Sequence, residues 1–152
     1  MKSGVEEERV RQLNSQQVRS GGRYVLHWMR ANRRATFNHA LAFAVNIAND
    51  RDLPLLCCET LSFDDPFASD RLHAFVLEGV RENARRLREL GAGYVFSLRR
   101  SQSDPGDVIG RLAADCCRSS SNQYAPSASA GATRMPDTNC TPKWRIVASL
   151  PC

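Results

Sequence analysis

The chain has 152 residues and a hydrophobic content of 42%, which suits one folded domain with a packed core. No apolar run approaches the roughly eighteen residues of a membrane span, and three glutamates at residues 6–8 stand where a signal peptide needs apolar residues, so we expect a cytoplasmic protein without a membrane partner. The net charge is +5. Up to Asp115 the sequence has 17 Lys+Arg and 15 Asp+Glu, and beyond Asp115 it has four Lys+Arg and one Asp+Glu. Most of the excess charge therefore lies beyond Asp115, and the total does not indicate a basic surface for nucleic acid on the rest of the chain.

The first half of the chain predicts two buried strands separated by a helix. Residues 1–22 are polar and read as an arm. The run YVLHWM at residues 24–29 has the continuous apolar character of a strand buried on both faces, and residues 55–59 repeat it. Between them, residues 38–50 place apolar side chains at helical spacing, with Asn38 as the N-cap.

The second half predicts a long helix, a third strand and a short helix. Ser69 and Asp70 are a suitable cap and first-turn acid for a helix that Gly91 ends, and its apolar stripe includes Leu72, Phe75 and Leu87. Residues 94–98 form the third strand, and residues 104–105, an Asp-Pro pair, open the last helix.

The order of these elements predicts an α/β fold with a Rossmann-like parallel sheet and helices on both faces. The sheet is expected to be incomplete, with about three strands, because a serine-rich stretch stands where a fourth should follow Asp115. We therefore divide the chain into an arm (1–22), an α/β domain (23–115) and a low-complexity, disordered tail (116–152), with a possible strand at residues 145–148.

Six cysteines occur, as two vicinal pairs at residues 57–58 and 116–117 plus Cys140 and Cys152. None of them has the spacing of metal ligands, and the first pair lies in a strand, where buried thiols behave as small apolar residues. We therefore expect a structural role for this pair and no metal site.

Two segments of the sequence carry a resemblance to a known family. Residues 24–34 (YVLHWMRANRR), followed by Asn-His-Ala-Leu at 38–41, resemble the opening of the photolyase/cryptochrome family, and the Trp-Met version is similar to class II cyclobutane pyrimidine dimer photolyases. Residues 68–80 (ASDRLHAFVLEGV) resemble the family's long second helix. The resemblance spans residues 9–115 and implies the N-terminal α/β domain of a DNA photolyase.

The resemblance implies light-dependent repair of damaged DNA, with an antenna chromophore, a deazaflavin or a folate, in this domain and FAD in a helical domain that is not part of the sequence. No catalytic residue of the family falls within these residues. The chain alone is therefore not expected to repair DNA, and damaged DNA would be a partner only through a missing or separate FAD domain.

Candidate cofactor-binding residues follow from the rule that doubly wound sheets bind ligands at the carboxyl ends of their strands, where strand order reverses. At this rim the sequence offers Trp28, Arg30, Arg33, Asn38 and Glu59. Each has a simpler interpretation: Trp28 could pack under a helix, the arginines could be solvated, and Asn38 could be a cap alone. Without a fourth strand, the crevice beside Trp28 is expected to be open on one side.

Two other functions stay open. One is an independent small-nucleotide-binding α/β protein, although the sequence contains no glycine-rich phosphate loop. The other is a non-functional gene remnant, because the change of composition at Cys116 resembles an out-of-frame reading of photolyase coding sequence.

Overall fold

The computed structural model describes residues 10–12, 18–64, 68–123 and 143–147. They form strands β1 (Val10–Gln12), β2 (Tyr24–Met29), β3 (Leu55–Ser62), β4 (Gly93–Arg99), β5 (Cys116–Gln123) and β6 (Lys143–Val147). The helices are α1 (His39–Asp50), α2 (Asp70–Glu89) and α3 (Val108–Ala114). None of the helices in these ranges combines the length and apolar character needed to cross a membrane.

The described strands make one sheet in the order β1-β6-β5-β2-β3-β4. Strands β5, β2, β3 and β4 run parallel to one another, and β6 is parallel to β5. Strand β1 is an edge strand and pairs antiparallel with β6. The predicted α/β class with a parallel sheet is confirmed. The prediction of about three strands is wrong, because the missing fourth strand is β5, which begins at Cys116 and pairs with β2.

Strands β1, β5 and β6 fall in the segments predicted to be arm and tail. Residues 116–123 are strand and not disordered, and β6 lies close to the strand predicted at 145–148. The remainder of the predicted tail, residues 124–142 and 148–152, lies outside the described residues, as do Cys140 and Cys152. The domain boundaries stay a prediction.

Helices cover both faces of the sheet, as predicted. On one face, side chains of α1 and α2 such as Ala44 and Leu87 pack against Val25 and Cys57, which are fully buried. On the other face, Ala113 of α3 joins a cluster with Leu26, Cys58 and Cys116. Alternate residues of β2 and β3 therefore serve opposite faces, which is why both strands read as continuous apolar runs.

The helix ends follow local capping chemistry. The side chain of Ser69 accepts a hydrogen bond from the amide of Leu72 at 3.2 Å, which confirms the predicted start of α2. Gly91 has φ of 79°, so the residue that ends this helix is in the left-handed region that glycine tolerates. The predicted start of α3 is wrong: the carboxylate of Asp104 accepts from the amides of Arg100 and Ser101, and Asp107 caps the helix instead.

The predicted apolar stripe of α2 is only partly buried. Leu87 is fully buried, but Leu72 is 40% exposed and Phe75 is 73% exposed. The helix turns a polar residue, Asn83, into the interior instead. Of the residues predicted for the stripe, Val76, Ala84 and Leu87 are buried, so the prediction is confirmed for these positions, whereas it is wrong for Leu72, Phe75 and Leu90, which are exposed.

The pairing of β2 with β5 contains a bulge. Tyr24 lies opposite Cys116 but Val25 lies opposite Arg118, so Cys117 is an extra residue. At this point the chain before β2 lies close to the backbone of β5: a Cβ added to Gly22 would lie 2.1 Å from the amide nitrogen of Cys117. The bulged residue therefore leaves no room for a side chain at position 22.

We expect Gly22→Ala to lower the free energy of unfolding by about 1–3 kcal/mol, because the methyl group would push against the backbone of β5. Gly21→Ala is the matched control, since a Cβ at Gly21 meets no heavy atom within 4 Å. Urea unfolding of both variants measures the difference. Equal midpoints for the two would contradict the close approach.

Candidate functional site at the carboxyl end of β2

The strand order reverses at β2. The chain proceeds from β2 to β3 and β4 in one direction and then returns to place β5 on the other side of β2. Trp28, near the carboxyl end of β2, lies opposite Cys58 of β3 and Ser121 of β5. This is the position where doubly wound sheets bind ligands. The expectation that the crevice lacks its second wall is wrong, because β5 provides that wall.

Trp28 and Arg30 form a stack at this position, on the side of the sheet that carries α3. The indole Nε1 of Trp28 donates a hydrogen bond to Oγ1 of Thr60 at 2.9 Å. The guanidinium carbon of Arg30 lies 4.8 Å from the centre of the Trp28 ring, within the range of a cation–π interaction. The ring is therefore held in a fixed orientation, half-buried, with a positive charge over one face.

Glu59 lies on the opposite side of the sheet and is buried, with 1% of its surface exposed. Its Oε1 accepts from Nη1 of Arg33 at 3.3 Å. Its Oε2 accepts from the hydroxyl of Tyr94 at 2.7 Å and from Nδ2 of Asn83 at 3.3 Å. Protein donors therefore occupy both oxygens, and the carboxylate joins the loop after β2 to α2 and β4.

Burial, followed by the hydrogen bond to Glu59, raises the pKa of Tyr94 far above its usual value. The phenol thus remains a hydrogen-bond donor at every physiological pH. Arg33 is 23% exposed, so part of its guanidinium still faces solvent while the rest is paired with Glu59.

Asn38 fixes the other end of the same loop. Its Oδ1 accepts from the amides of Ala40 and Leu41 at 3.1 and 3.2 Å, which confirms the predicted N-cap of α1. Its Nδ2 donates to the carbonyls of Asn32 and Arg34. Nδ2 of Asn83 donates to the carbonyl of Arg33 at 3.1 Å. Residues 32–38 are thus clamped by side-chain amides.

The five predicted site residues fall into two groups on opposite sides of the sheet. Trp28 and Arg30 contact each other near the reversal of strand order. Arg33 and Glu59 form an ion pair on the other side, and Asn38 caps α1. Sequence reasoning missed Thr60, Asn83 and Tyr94. A signal existed for one of them: Asn83 interrupts the apolar stripe of α2 four residues before Leu87, where a polar residue needs a buried partner.

A buried histidine lies beside the β2–β5 pairing. His27 is fully buried, and its Nδ1 lies 3.0 Å from the hydroxyl of Ser120. Burial lowers the pKa of His27 to about 4. The imidazole is therefore neutral in the folded chain at physiological pH.

Four described cysteines, at positions 57, 58, 116 and 117, are buried free thiols. Burial raises the pKa of Cys57 to about 12 and that of Cys58 to about 11. Thiols held in this protonated form are poor nucleophiles and poor metal ligands, in agreement with the predicted structural role of the first pair. Among residues 10–12, 18–64, 68–123 and 143–147, His, Cys, Asp and Glu form no group of three or more that could hold a metal ion.

Taken together, the parallel sheet with helices on both faces and the reversal of strand order at β2 define a doubly wound α/β domain. A family model for DNA photolyase matches residues 25–120. The chain belongs to the DNA photolyase family, and the matched region is the N-terminal domain of that family.

A deoxyribodipyrimidine photo-lyase of Methanothermobacter thermautotrophicus (strain Delta H) is 35% identical over 111 residues, which cover 73% of this chain. The matched segment is 24% of the archaeal protein, so the chain spans about a quarter of the length of this relative.

Among solved structures, a universal stress protein from Archaeoglobus fulgidus superposes with a TM-score of 0.52 and 17% identity, over 81% of this chain and 93% of that protein. A universal stress protein family member from Burkholderia pseudomallei gives a TM-score of 0.40 at 20% identity, over 65% of this chain and 80% of that one. The first of these likenesses shows a shared fold and nothing about function.

Proposed function

We propose that this chain is the antenna-chromophore-binding unit of a deoxyribodipyrimidine photo-lyase of class II type. The observation that carries the proposal is the position of β5: it completes the wall beside Trp28 within a segment that matches the family from residue 25 to 120. A complete strand-order reversal supports ligand binding in a way that a three-stranded half-sheet would not.

The residues at the reversal suit a planar, anionic chromophore such as a deazaflavin or a folate. Trp28 offers a ring held by Thr60, and Arg30 offers a positive charge next to that ring. These two residues would hold the chromophore, which would absorb light and pass the excitation on. Arg33, Asn38 and Glu59 would position the loop, since their polar groups already bond to protein.

Repair of damaged DNA would require an FAD-binding helical domain, in the same polypeptide or supplied by a separate chain. The family match and the identity to an archaeal photo-lyase support this placement in light-dependent repair. On this proposal this chain of 152 residues does not split pyrimidine dimers alone, and the protein acts in the cytoplasm.

Binding of the purified chain to 8-hydroxy-5-deazariboflavin, methenyltetrahydrofolate and ATP, followed by absorbance after equilibrium dialysis, tests the proposal. We expect one of the first two to bind, and Trp28→Leu to weaken that binding about tenfold, since stacking on an aromatic ring contributes about 1–3 kcal/mol. Phe75→Leu, which removes an exposed aromatic ring from α2 on the opposite face, is the matched control.

Two other outcomes would favour the alternatives. Binding of ATP but of neither chromophore would indicate a small-nucleotide-binding protein, whose fold class this chain shares. A chain that shows no cooperative unfolding transition would indicate a gene remnant. Since the family match continues through residue 120, a change of reading frame would have to follow it, and translation of the other two frames beyond that codon tests this.

A further inference from the structure

Two aromatic side chains are exposed on the side of the sheet that carries α1 and α2. Phe37, just before α1, is 89% exposed, and Phe75 of α2 is 73% exposed. An aromatic side chain has roughly 150–250 Å² of surface, so the two rings present about 300 Å² of apolar surface to solvent. Exposed apolar surface of this extent on a soluble protein marks a site of interaction when it is contiguous.

The two rings belong to neighbouring parts of the surface. Nδ2 of Asn83 on α2 donates a hydrogen bond to the carbonyl of Arg33 at 3.1 Å, so this flank of α2 lies against the loop that carries Phe37. Gly79 and Phe75 precede Asn83 by four and eight residues, and this spacing places them along the same flank of the helix. We call the surface formed by Phe37, Phe75 and Gly79 the aromatic patch.

Phe37 is held in its exposed position by the backbone. Its φ is 50°, in the left-handed region that is unfavourable for a residue with a bulky side chain. The side-chain amides of Asn38 and Asn83 donate to the three carbonyls of residues 32–34 and fix the loop in this conformation. A ring that is held in this way loses little conformational freedom when it binds a partner.

The aromatic patch contains both a protrusion and a recess. Phe75 extends from α2, and one turn later Gly79 lacks a side chain, with no heavy atom within 4 Å of a Cβ placed there. A two-fold interface uses the same patch on both copies of a chain, so the patch must carry the protrusion as well as the recess that accepts it. Two α2 helices that pack antiparallel, with Phe75 of each over Gly79 of the other, meet this requirement.

The charges beside the patch suit the same arrangement. Arg71 and Glu82 are both exposed, on the side of α2 that also carries Phe75. Antiparallel alignment of Phe75 with Gly79 of a second copy brings Arg71, four residues before Phe75, next to Glu82, three residues after that glycine. By symmetry this contact between opposite charges occurs twice at the rim of the interface.

We propose that the chain forms a two-fold symmetric dimer through the aromatic patch, and the partner is therefore a second copy of the chain. The four rings of the two copies contribute about 600 Å², over a third of the roughly 1,600 Å² that a standard interface buries. They form its apolar centre, and polar residues such as Arg71 and Glu82 form its rim. The dimer does not depend on a chromophore at β2.

Sedimentation velocity of the purified chain at concentrations from about 1 to 300 µM tests the proposal, and we expect a monomer–dimer equilibrium with a Kd of about 10 µM. A reducing buffer prevents intermolecular disulfides among the six cysteines of the sequence. Phe75→Ser should raise the Kd about tenfold or more, because the central ring is lost from both copies. Leu77→Ser is the matched control, since Leu77 is 41% exposed on the opposite flank of α2, and it should leave the Kd unchanged.

Gly79→Gln separates a blocked interface from a damaged fold. A Cβ at this position meets no heavy atom within 4 Å, and replacement of a glycine inside a helix stabilises the helix. At concentrations where the monomer dominates, the melting temperature should therefore rise by about 2–5 °C. The same side chain fills the recess that accepts Phe75 and should raise the Kd of the dimer about tenfold.

Two results would overturn the inference. A chain that stays monomeric at the highest concentration does not pair through the aromatic patch, and the exposed rings then belong to a different partner, such as an FAD-binding domain. A dimer whose Kd is the same in the parent chain, in Phe75→Ser and in Gly79→Gln uses a different surface.

Discussion

Replacement of Glu59 by alanine is expected to lower the free energy of unfolding by about 3 kcal/mol and the melting temperature by about 10 °C. The carboxylate is buried and accepts hydrogen bonds from Arg33, Asn83 and Tyr94. Its removal leaves three donors without their acceptor and one guanidinium without its counter-charge. Because these donors come from the loop after β2, from α2 and from β4, we expect the change to loosen all three.

Three further variants make this prediction specific. Tyr94→Phe should cost about 1.5 kcal/mol, the typical value of a hydrogen bond to a charged group, and the double variant with Glu59→Ala should cost less than the sum. Glu82→Ala removes a carboxylate that pairs with Arg85 and Arg86 on the exposed side of α2, so its effect should be far smaller. If chemical denaturation gives Glu59→Ala and Glu82→Ala similar midpoints, the buried carboxylate does not stabilise the fold in this way.

A second large effect is expected from acid. The pKa of His27 is about 4 in the folded chain and about 6.5 when unfolded, because burial disfavours the charged imidazolium. Below pH 6.5 the unfolded chain therefore binds a proton that the folded chain does not, and stability falls as the pH decreases toward 4. The full loss is roughly 3 kcal/mol, and above pH 6.5 this contribution is complete.

His27→Gln should abolish most of this dependence while keeping a polar partner for Ser120. His39→Gln, at an exposed position, should leave the dependence in place. The window from pH 4.5 to 6.5 is the diagnostic one, because the carboxyls of Asp64 and Glu82, whose pKa values are lowered by hydrogen bonds, affect stability only at lower pH. A pH-independent unfolding free energy across that window in the parent chain would refute the assignment.

Strands β2, β3 and β4 and helices α1 and α2 could be predicted because their signals are local. Continuous apolar runs identified β2, β3 and β4, and the capping side chains of Asn38 and Ser69 fixed two helix starts. The start of α3 was mistaken because Asp104 can serve equally as a cap or in a turn, and contacts within residues 100–104 decide between them.

Strand β5 could not be recognised from periodicity. Its residues CCRSSSNQ contain few of the β-branched and aromatic side chains that mark a strand. The strand nevertheless forms where β2 offers a free edge, and two of its polar side chains have partners on other elements: Ser120 contacts His27 of β2, and the guanidinium of Arg118 lies 5.9 Å from the ring of Phe43 on α1. Such pairings depend on tertiary contacts between residues that lie far apart in the sequence, 93 positions for Ser120 and His27.

The candidate site was predictable in its position but not in its internal arrangement. The rule about the carboxyl ends of strands selected Trp28 and Arg30 together with Arg33 and Glu59. It could not assign the two pairs to opposite sides of the sheet, because the direction of the chain after a strand depends on the loop that follows. The hydrogen bonds of Asn83 and Tyr94 hold Arg33 opposite Glu59, and of these two partners only Asn83 has a sequence signal, as a polar residue in the apolar stripe of α2.

The bulge at Cys117 bears on what fixes the register of β5 against β2. Because three serines follow one another at residues 119–121, a shift of β5 by one residue in either direction would still bring a hydroxyl-bearing residue opposite His27. It would, however, carry Arg118 to the α3 side, among Leu26 and Cys58. The imidazole alone therefore does not specify the alignment of this strand; the extra residue Cys117 beside Gly22 and the contact between the Arg118 guanidinium and the ring of Phe43 do.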